Sequence, residues 1–476
     1  MHANALVATS RSRSDYGPAV VLLTTSLGVL IAQLDSSVVN LAAKHIGADL
    51  DLGVSALQWV IDGYNLVYAS LLLTGGTLAD LYGRRRMFAL GIGLLIAGSI
   101  VCGLAPNGAT LIAGRALTGL GAALELPTSL AILTVAYPDK KERAGALGIW
   151  ASCNGLAFVI GPTVGGVLVD AGGWRSIFLL VVPLCVLALA LAIRAVPESR
   201  DPKGRALDLP GQALAVLALA SLAFGVIEGP HWGWTSPIIL SCLGASIIAA
   251  FVFVRVEAGK SGALVPLDLF AQRPFSGSLA VAGLMTFGMY AMLFLTPLYL
   301  QAVRGDTAFT AGIALLPMSI AFVIVSQGSG WVVDGYGSRF AMTAGMSLMG
   351  AGLLMLVGIG ATTSLAYVEA ALLVIGVGLG LNTGPVVGVA VGSVPPARSG
   401  TASGLVNTAR MIGATLGIAV LGALFAAFAG QAAQNGPGFL PGLRAAYLGG
   451  AVGELLGGAI AFVCIPPRGP KRKQRA

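Results

Sequence analysis

Charged residues are scarce in this chain of 476 residues, where Asp, Glu, Lys and Arg together make up 10%. A soluble domain carries about 25%. Hydrophobic residues account for 56% of the chain, and its mean hydropathy is +0.87. A soluble fold cannot cover so much apolar surface, so the composition predicts an all-α polytopic membrane protein.

Residues that serve catalysis or bind metals are also few. Histidine occurs only as His2, His45 and His231, so no metal site is expected. The five cysteines lie in apolar runs without metal-ligand spacing and are expected to be packing residues. The chain has no Gly-rich phosphate-binding loop with a lysine, so neither ATP nor another cofactor is expected. An intramembrane enzyme or a channel is therefore only a distant alternative.

Apolar runs long enough to span a bilayer follow one another along the whole chain. At about 20 residues per span, they predict fourteen helices with short connecting loops. The first run has no small-residue cleavage site after it, which favours a retained helix over a secretory signal. The predicted limits are 17–40, 56–78, 87–105, 109–132, 143–169, 175–195, 209–228, 236–254, 276–300, 309–333, 339–360, 366–391, 401–427 and 443–464.

Two polar, turn-rich breaks, at 196–210 and 255–274, divide these helices into groups of six, two and six. We predict an N-terminal six-helix bundle over 1–200, two linking transmembrane helices over 201–262, and a C-terminal six-helix bundle with a basic cytoplasmic tail over 263–476. Two halves of six helices suggest an internal repeat, which is how many transporters are built.

Lysine and arginine are distributed unevenly between the two sides of this topology. If both termini share one side, 22 of the 28 basic residues lie there and four lie on the other. Cytoplasmic loops are enriched in these residues, so we predict a cytoplasmic (inner) membrane protein with both termini in the cytoplasm. The net charge of +8 follows from this topology and does not indicate a nucleic-acid partner. Nothing in the sequence requires more than a monomer.

A Gly-Asp-Gly-Arg pattern occurs in two loops, one in each half. An aspartate that pairs with arginine in only one conformation would act as a latch between moving bundles. The alternative is a basic membrane anchor with one solvated aspartate. The pattern comprises Gly76, Asp80, Gly83, Arg84 and Arg85 after the second predicted helix, and Gly330, Asp334, Gly337 and Arg339 after the tenth.

The fifth predicted helix contains an unusual density of glycine. In lipid, glycine allows two helix backbones to touch, and proline bends the helix. An ordinary kinked helix is one interpretation. The other is that this helix lies at the seam between the halves and seals the exit path. The residues concerned are Gly155, Gly161, Pro162, Gly165 and Gly166, of which Gly161 and Gly165 share one face.

Six ionisable residues lie away from the ends of predicted helices, where each charge costs about 2.5–3.5 kcal/mol. Asp35, Asp62 and Arg115 lie about 8–10 Å deep in the same half, and we expect them to converge on an outward-opening cavity. With Glu125, they are our candidates for proton coupling; the alternative for Asp35 and Asp62 is that each satisfies an arginine or a backbone group. The remaining two, Arg410 and Glu454, are candidates for substrate binding or helix packing.

Aromatic residues make up only 7% of the chain. Several lie in predicted helices where they would line an apolar substrate path, although such residues more often pack or anchor helices at the interface. The candidates for substrate binding are Trp59, Tyr64, Phe158, Tyr290 and Phe294.

Together these motifs resemble the major facilitator superfamily, in its fourteen-helix drug:proton antiporter branch. The first loop described above resembles the signature loop of that family, and Gly155 to Gly166 resembles its helix 5 antiporter motif. Further matches are Leu34 to Ala42, Trp59 to Leu66, and Leu111 to Ala122, with Thr118 where glutamine is usual. Within the branch, residues 227–234 resemble exporters of the methylenomycin-resistance type.

The resemblance implies a secondary active transporter with the major facilitator fold. It would export small, mostly apolar drugs or antibiotics by alternating access, driven by the proton gradient and without a cofactor. Asp35 and Asp62 match positions at which the family carries acids implicated in proton coupling. The alternative on the same fold is a proton-coupled or passive importer of a small metabolite.

Overall fold

The computed structural model describes residues 17–201, 207–258, 260, 265–395, 398–429 and 438–467. The basic residues predicted for the two tails, together with Lys203 and Arg205, lie outside these ranges. The helices are α1 (Pro18–Asp49), α2 (Val54–Tyr82), α3 (Arg84–Gly103), α4 (Gly108–Ala136), α5 (Lys140–Gly172), α6 (Arg175–Ala195), α7 (Leu209–Trp232), α8 (Pro237–Ala258), α9 (Arg273–Ala302), α10 (Ala308–Ala314), α11 (Leu316–Tyr336), α12 (Ser338–Val357), α13 (Leu365–Gly392), α14 (Ser399–Ala429) and α15 (Phe439–Cys464), with a short 3₁₀ turn at Leu267–Ala271.

The expected all-helical class is confirmed for the described residues, which contain no strand. Thirteen helices in these ranges are long and apolar enough to cross a membrane, with α10 and α11 forming one continuous span. The fourteenth long helix is α2, which is more polar. Its Gln58, Asp62 and Asn65 side chains are buried inside the protein, so packing rather than composition hides them from lipid.

The helices pack as two bundles with an extra pair on one side. In the first bundle, α4 packs on α2 and α3, and α1 packs on α5 and α6. In the second, α9 packs on α14 and α15, and α13 packs on α11 and α12. The extra pair, α7 and α8, packs against α2 and α14. The predicted domain limits fall partly in undescribed segments and stay a prediction.

The two bundles meet chiefly on one side of the molecule. We call the side where α1 begins and α15 ends the terminal face, and the opposite side the far face. Near the far face, Lys44 Nζ donates to the Gln301 carbonyl (2.8 Å), and Gln301 Nε2 donates to the Leu41 carbonyl (2.9 Å). Gln58 Nε2 donates to the Ile418 carbonyl (2.8 Å). These bonds join the halves near the far face.

At the terminal side, several residues in the first turns of α5 are exposed, among them Lys141, Glu142 and Ser152. Because the bonds described above join the halves near the far face, we call this conformation far-closed.

Close helix contacts within each bundle predict a sharp difference between two glycines. A Cβ at Gly413 of α14 would lie 2.0 Å from the Gly283 carbonyl oxygen of α9, whereas a Cβ at Gly388 of α13 would meet nothing within 4 Å. Gly413→Ala should destabilise the protein by about 1–3 kcal/mol because backbone must move. Gly388→Ala, the matched control, should be neutral or slightly stabilising.

Thermal unfolding of both variants in detergent measures this difference. Equal melting temperatures would contradict the close α9–α14 packing.

Candidate functional site

A buried ion pair fastens three helices of the first bundle. Arg115 Nη1 of α4 lies 2.6 Å from Asp35 Oδ2 of α1, and the two side chains are 1% and 0% exposed. Arg115 Nε also donates to the Val60 carbonyl of α2 (3.1 Å). The guanidinium lies 4.7 Å from the centre of the Tyr64 ring. Tyr64, expected to bind substrate, therefore packs against this pair.

Thr118 takes part in the same cluster. Its hydroxyl lies 3.4 Å from Arg115 Nη1 and donates to the Arg115 carbonyl (2.9 Å). The threonine thus supplies a short polar contact where the family pattern has glutamine. Asp62 does not join the pair: it is fully buried, and its carboxylate oxygens have no hydrogen-bond partner among the described residues. Asp35, Asp62 and Arg115 are all buried in this far-closed structure, and their convergence on an outward-opening cavity stays a prediction.

Two further carboxyl groups, Glu125 and Glu454, are fully buried, and their oxygens have no hydrogen-bond partner among the described residues. Glu125 of α4 fills space left by Gly28 of α1 and Gly91 of α3. Glu454 of α15 lies against Gly288 of α9, inside the second bundle. An unpartnered ionised carboxylate is costly to bury, and the role of Glu125 in proton coupling stays a prediction. The predicted substrate contact of Glu454 stays a prediction.

A polar cluster lies between the two bundles. Arg410 of α14 donates from Nη2 to the Thr383 carbonyl (3.1 Å), and its Nε has no partner. Tyr290 of α9 and Tyr68 of α2 are its electrostatic neighbours, and Tyr290 also interacts with Ser36 of α1. Four helices from both bundles thus bring Arg410 and two phenol groups together.

Tyr68 and Ser36 were not among the residues predicted from sequence. Tyr68 lies one turn after Tyr64 on α2, so helical spacing places the two on one face. Their rings are 5.9 Å apart. The sequence therefore held a signal for Tyr68, but none that distinguished its central position from a packing position.

The other predicted aromatic residues lie elsewhere. Trp59 Nε1 donates to Glu228 Oε1 of α7 (2.8 Å), so this side chain faces the extra helix pair. Phe294 is fully buried in the second bundle. Phe158 of α5 packs edge-on against Phe322 of α11, with ring centres 6.1 Å apart. Of the five candidates, Tyr290 lies in the central cluster and Phe158 lies at the seam between the bundles.

The seam between α5 and α11 depends on Pro162. Proline has no N–H, so the Phe158 carbonyl four residues earlier lacks its helical donor. Ser319 Oγ of α11, in the other bundle, donates to that carbonyl (2.8 Å). The proline thus frees an acceptor in α5, and the opposite bundle satisfies it.

Close backbone contacts continue this seam toward the far face. A Cβ at Gly312 of α10 would lie 2.2 Å from the Pro162 carbonyl oxygen, and a Cβ at Gly166 of α5 would lie 2.6 Å from Phe309 Cα. Asp170 Oδ2 accepts from the Phe309 N–H (2.8 Å), and Oδ1 accepts from the Ala308 N–H (3.1 Å). The carboxylate therefore caps the start of α10.

The faces of α5 differ from the expectation. A Cβ at Gly161 would meet Ser37 Oγ of α1 at 2.0 Å, and one at Gly165 would meet Val38 at 3.1 Å. The Gly161–Gly165 face therefore packs within its own bundle. The seam is formed instead by Pro162 and Gly166, with Gly155 reaching the Val323 side chain of α11 (3.4 Å).

The loop between α2 and α3 is tied to its own bundle. Gly83 has φ +110°, a conformation that favours glycine. Arg84 Nη2 pairs with Asp80 Oδ1 (2.7 Å). Glu198, in the segment after α6, accepts from the Arg85 N–H (3.0 Å). In this conformation the predicted latch therefore engages no residue of the second bundle through these bonds.

The second copy of the pattern repeats the backbone but not the ion pair. Gly337 has φ +89° and breaks the chain between α11 and α12. Asp334 is exposed, and position 338 is serine where the first copy has Arg84. The Arg339 guanidinium lies 3.8 Å from the centre of the Phe462 ring. Gly76, the first residue of the earlier copy, approaches only the Pro127 side chain (3.7 Å), and Gly330 meets nothing within 4 Å.

The buried ion pair predicts a non-additive pair of substitutions. Asp35→Leu or Arg115→Met alone should destabilise the protein by about 3–5 kcal/mol, since each leaves one buried charge unpaired. The double variant should recover most of that loss. Denaturant unfolding in detergent micelles measures the cycle. The control is the exposed Asp49–Arg175 pair, which has the same 2.6 Å separation. Asp49→Leu and Arg175→Met should change stability little. Additive losses at Asp35 and Arg115 would contradict the prediction.

The seam predicts a conformational effect of Ser319→Ala. Removing the hydroxyl leaves the Phe158 carbonyl unsatisfied, which costs about 1–3 kcal/mol in the far-closed state. The population should therefore shift toward a far-open state. Spin labels at Ala171 and Ala366, in a cysteine-free background, report the far-face separation by double electron–electron resonance.

Ser326→Ala is the matched control, because Ser326 Oγ donates only within α11, to the Val323 carbonyl (3.0 Å). An unchanged distance distribution in Ser319→Ala would rule out a latch at this bond.

Comparison with known proteins agrees with this architecture. The chain is 40% identical over 409 residues to the multidrug resistance protein Stp of Mycobacterium tuberculosis, covering 86% of this chain and 76% of that one. It is 35% identical over 412 residues to the methylenomycin A resistance protein of Streptomyces coelicolor, covering 86% of each.

Two solved structures share the fold. A bacterial homologue of the human lysosomal transporter Spinster, in an inward-facing and unoccupied conformation, superposes with a TM-score of 0.68 at 18% identity, covering 94% of this chain and 96% of that one. The peptide transporter POT in complex with sulfate has a TM-score of 0.68 at 16% identity, covering 93% of each. The model of the Major Facilitator Superfamily matches residues 25–418. The chain therefore belongs to the Major Facilitator Superfamily and is a multi-pass membrane transporter rather than an enzyme.

Proposed function

We propose that this protein is an antiporter that exports small, mostly apolar drugs or antibiotics in exchange for protons. The terminal face would be cytoplasmic, in the cytoplasmic membrane, and a monomer would suffice. The proton gradient would supply the energy, with no cofactor. The names of the relatives, a multidrug resistance protein and a methylenomycin A resistance protein, support export of such compounds.

The main support for a substrate site is the polar cluster between the bundles. Arg410, Tyr68 and Tyr290 come from both bundles, so a bound molecule would contact both. Partly buried Met411 and Trp150 pack beside the apolar cluster that contains Tyr68. A site of this kind changes its access when the bundles rock.

The terminal face is where substrate would enter in the present conformation. Opening of the far face requires the Ser319–Phe158 and Lys44–Gln301 bonds to break. These bonds would therefore break and re-form during alternating access.

Protons would act on the buried acids of the first bundle. Asp35 is neutralised by Arg115 in this state, whereas Asp62 and Glu125 have no cationic partner among the eight ion pairs of the described residues. A proton arriving at Asp35 would free Arg115 and loosen α1 from α4. Proton binding and bundle movement are then coupled through one interaction.

Transport assays in inverted membrane vesicles test the proposal. A growth screen of an efflux-deficient host that expresses the protein first identifies the protective compounds. Adding such a compound to vesicles with an acid interior should partly dissipate the pH gradient, because uptake into the vesicle releases protons. Asp35→Asn and Asp62→Asn should each reduce this proton flux at least tenfold.

Asp51→Asn is the matched control and should retain wild-type flux. Asp51 lies in the loop after α1 with φ +51°, which asparagine tolerates. Wild-type flux in both the Asp35 and Asp62 variants would refute the assignment of these acids. Compound-driven flux of the opposite sign would instead indicate an importer.

A further inference from the structure

Arg410 is an arginine between the bundles that has no anionic partner in the described part of the chain. The described residues form eight ion pairs, and Arg410 takes part in none of them. The other intramembrane arginine, Arg115, is fully buried and paired with Asp35. Arg410 is only partly buried and lies at the junction of the two bundles. Its charge is therefore uncompensated at the place where a substrate would bind.

Backbone contacts hold Arg410 without neutralising it. Its Nη2 donates to the Thr383 carbonyl (3.1 Å), and its own carbonyl accepts from Thr286 Oγ1 (2.6 Å). Nε is buried with no partner. These contacts fix α14 against α9 and α13 and leave guanidinium donors unused. A guanidinium with free donors matches the planar, bidentate geometry of a carboxylate.

Among the described residues, no carboxylate lies within ion-pair distance of Arg410. Its electrostatic neighbours are Tyr290 and Tyr68, which are neutral phenols able to donate hydrogen bonds. The cluster therefore offers one cation and two hydroxyl donors to a bound molecule, and no negative charge.

We propose that the transported compound carries an ionised acidic group, a carboxylate or an equivalent anion, which binds Arg410 with hydrogen bonds from Tyr68 and Tyr290. Its apolar body would lie against the side chains around Met411 and Trp150. This inference rests on the proposed function and narrows its substrate class to apolar acids. The bound anion would supply the counter-charge that Arg410 lacks in the described structure.

An anionic substrate has an electrical consequence. Outward movement of an anion and inward movement of a proton both carry positive charge inward. An inside-negative membrane potential therefore drives such an exchange together with the pH gradient.

Binding to the purified protein in detergent tests the inference by isothermal titration calorimetry. The probes are naphthalene, fluorene and anthraquinone, each bearing a carboxylate, a carboxamide or an aminomethyl group at the same position. On at least one ring system, the acid should bind the wild type at least tenfold more tightly than its amide and its amine. Arg410→Gln should abolish that preference, and Arg410→Lys, which keeps the charge but loses the bidentate geometry, should retain part of it.

Arg255→Gln is the matched control. Arg255 is exposed at the end of α8, and its guanidinium carbon lies 5.1 Å from the centre of the Phe251 ring. This variant should keep the full preference for the acid. The proposal is overturned if no acid binds more tightly than its amide, or if the preference survives in Arg410→Gln. Because the assay reads equilibrium binding, it gives an answer whether or not protons are exchanged. Failure of the vesicle assay alone would reject proton antiport and leave the acid preference standing.

Discussion

A single missing hydrogen-bond donor organises the contact between the two halves of this transporter. Pro162 has no N–H, so α5 carries an unsatisfied carbonyl at Phe158, and within a bilayer that group needs a donor. Ser319 of the other half provides it. Close packing of Gly312 against Pro162 follows from the same approach. The closed far face is thus stabilised by a hydrogen bond whose acceptor lies in one half and whose donor lies in the other.

Within the first half, polar bonds join neighbouring helices. The Asp35–Arg115 pair joins α1 to α4, and the Gly83 turn with its ion pair joins α2 to α3. Bundles that are joined internally in this way, and joined to each other by a few far-side bonds that can break, are what a rocking transporter requires. The central charge of Arg410 then lies where the two rigid bodies meet.

Hydropathy and glycine patterns predicted the helical class and the positions of the motifs, because both depend on local sequence. The neighbours of each helix face were not predictable in this way. Spacing placed Gly161 and Gly165 on one face of α5 but did not reveal that α1, rather than α10, covers it. Trp59 was expected at the substrate path, yet it bonds Glu228 of α7. Likewise, the lack of a counter-ion at Arg410 depends on tertiary packing that no local pattern encodes.

The extra helix pair makes the two lateral sides of the molecule unequal. Gln212 of α7 bonds Thr74 and Ser70 of α2, and Glu228 bonds Ser55 and Trp59 of the same helix. Toward α14, the described contacts of α7 are apolar, through Ala223 and Ile227 against Ala419. Polar bonds therefore join α7 to the first half, and apolar contacts join it to the second. The extra pair covers the lateral side where α2 meets α14, and the side where α5 meets α11 has no matching helix pair among the described residues.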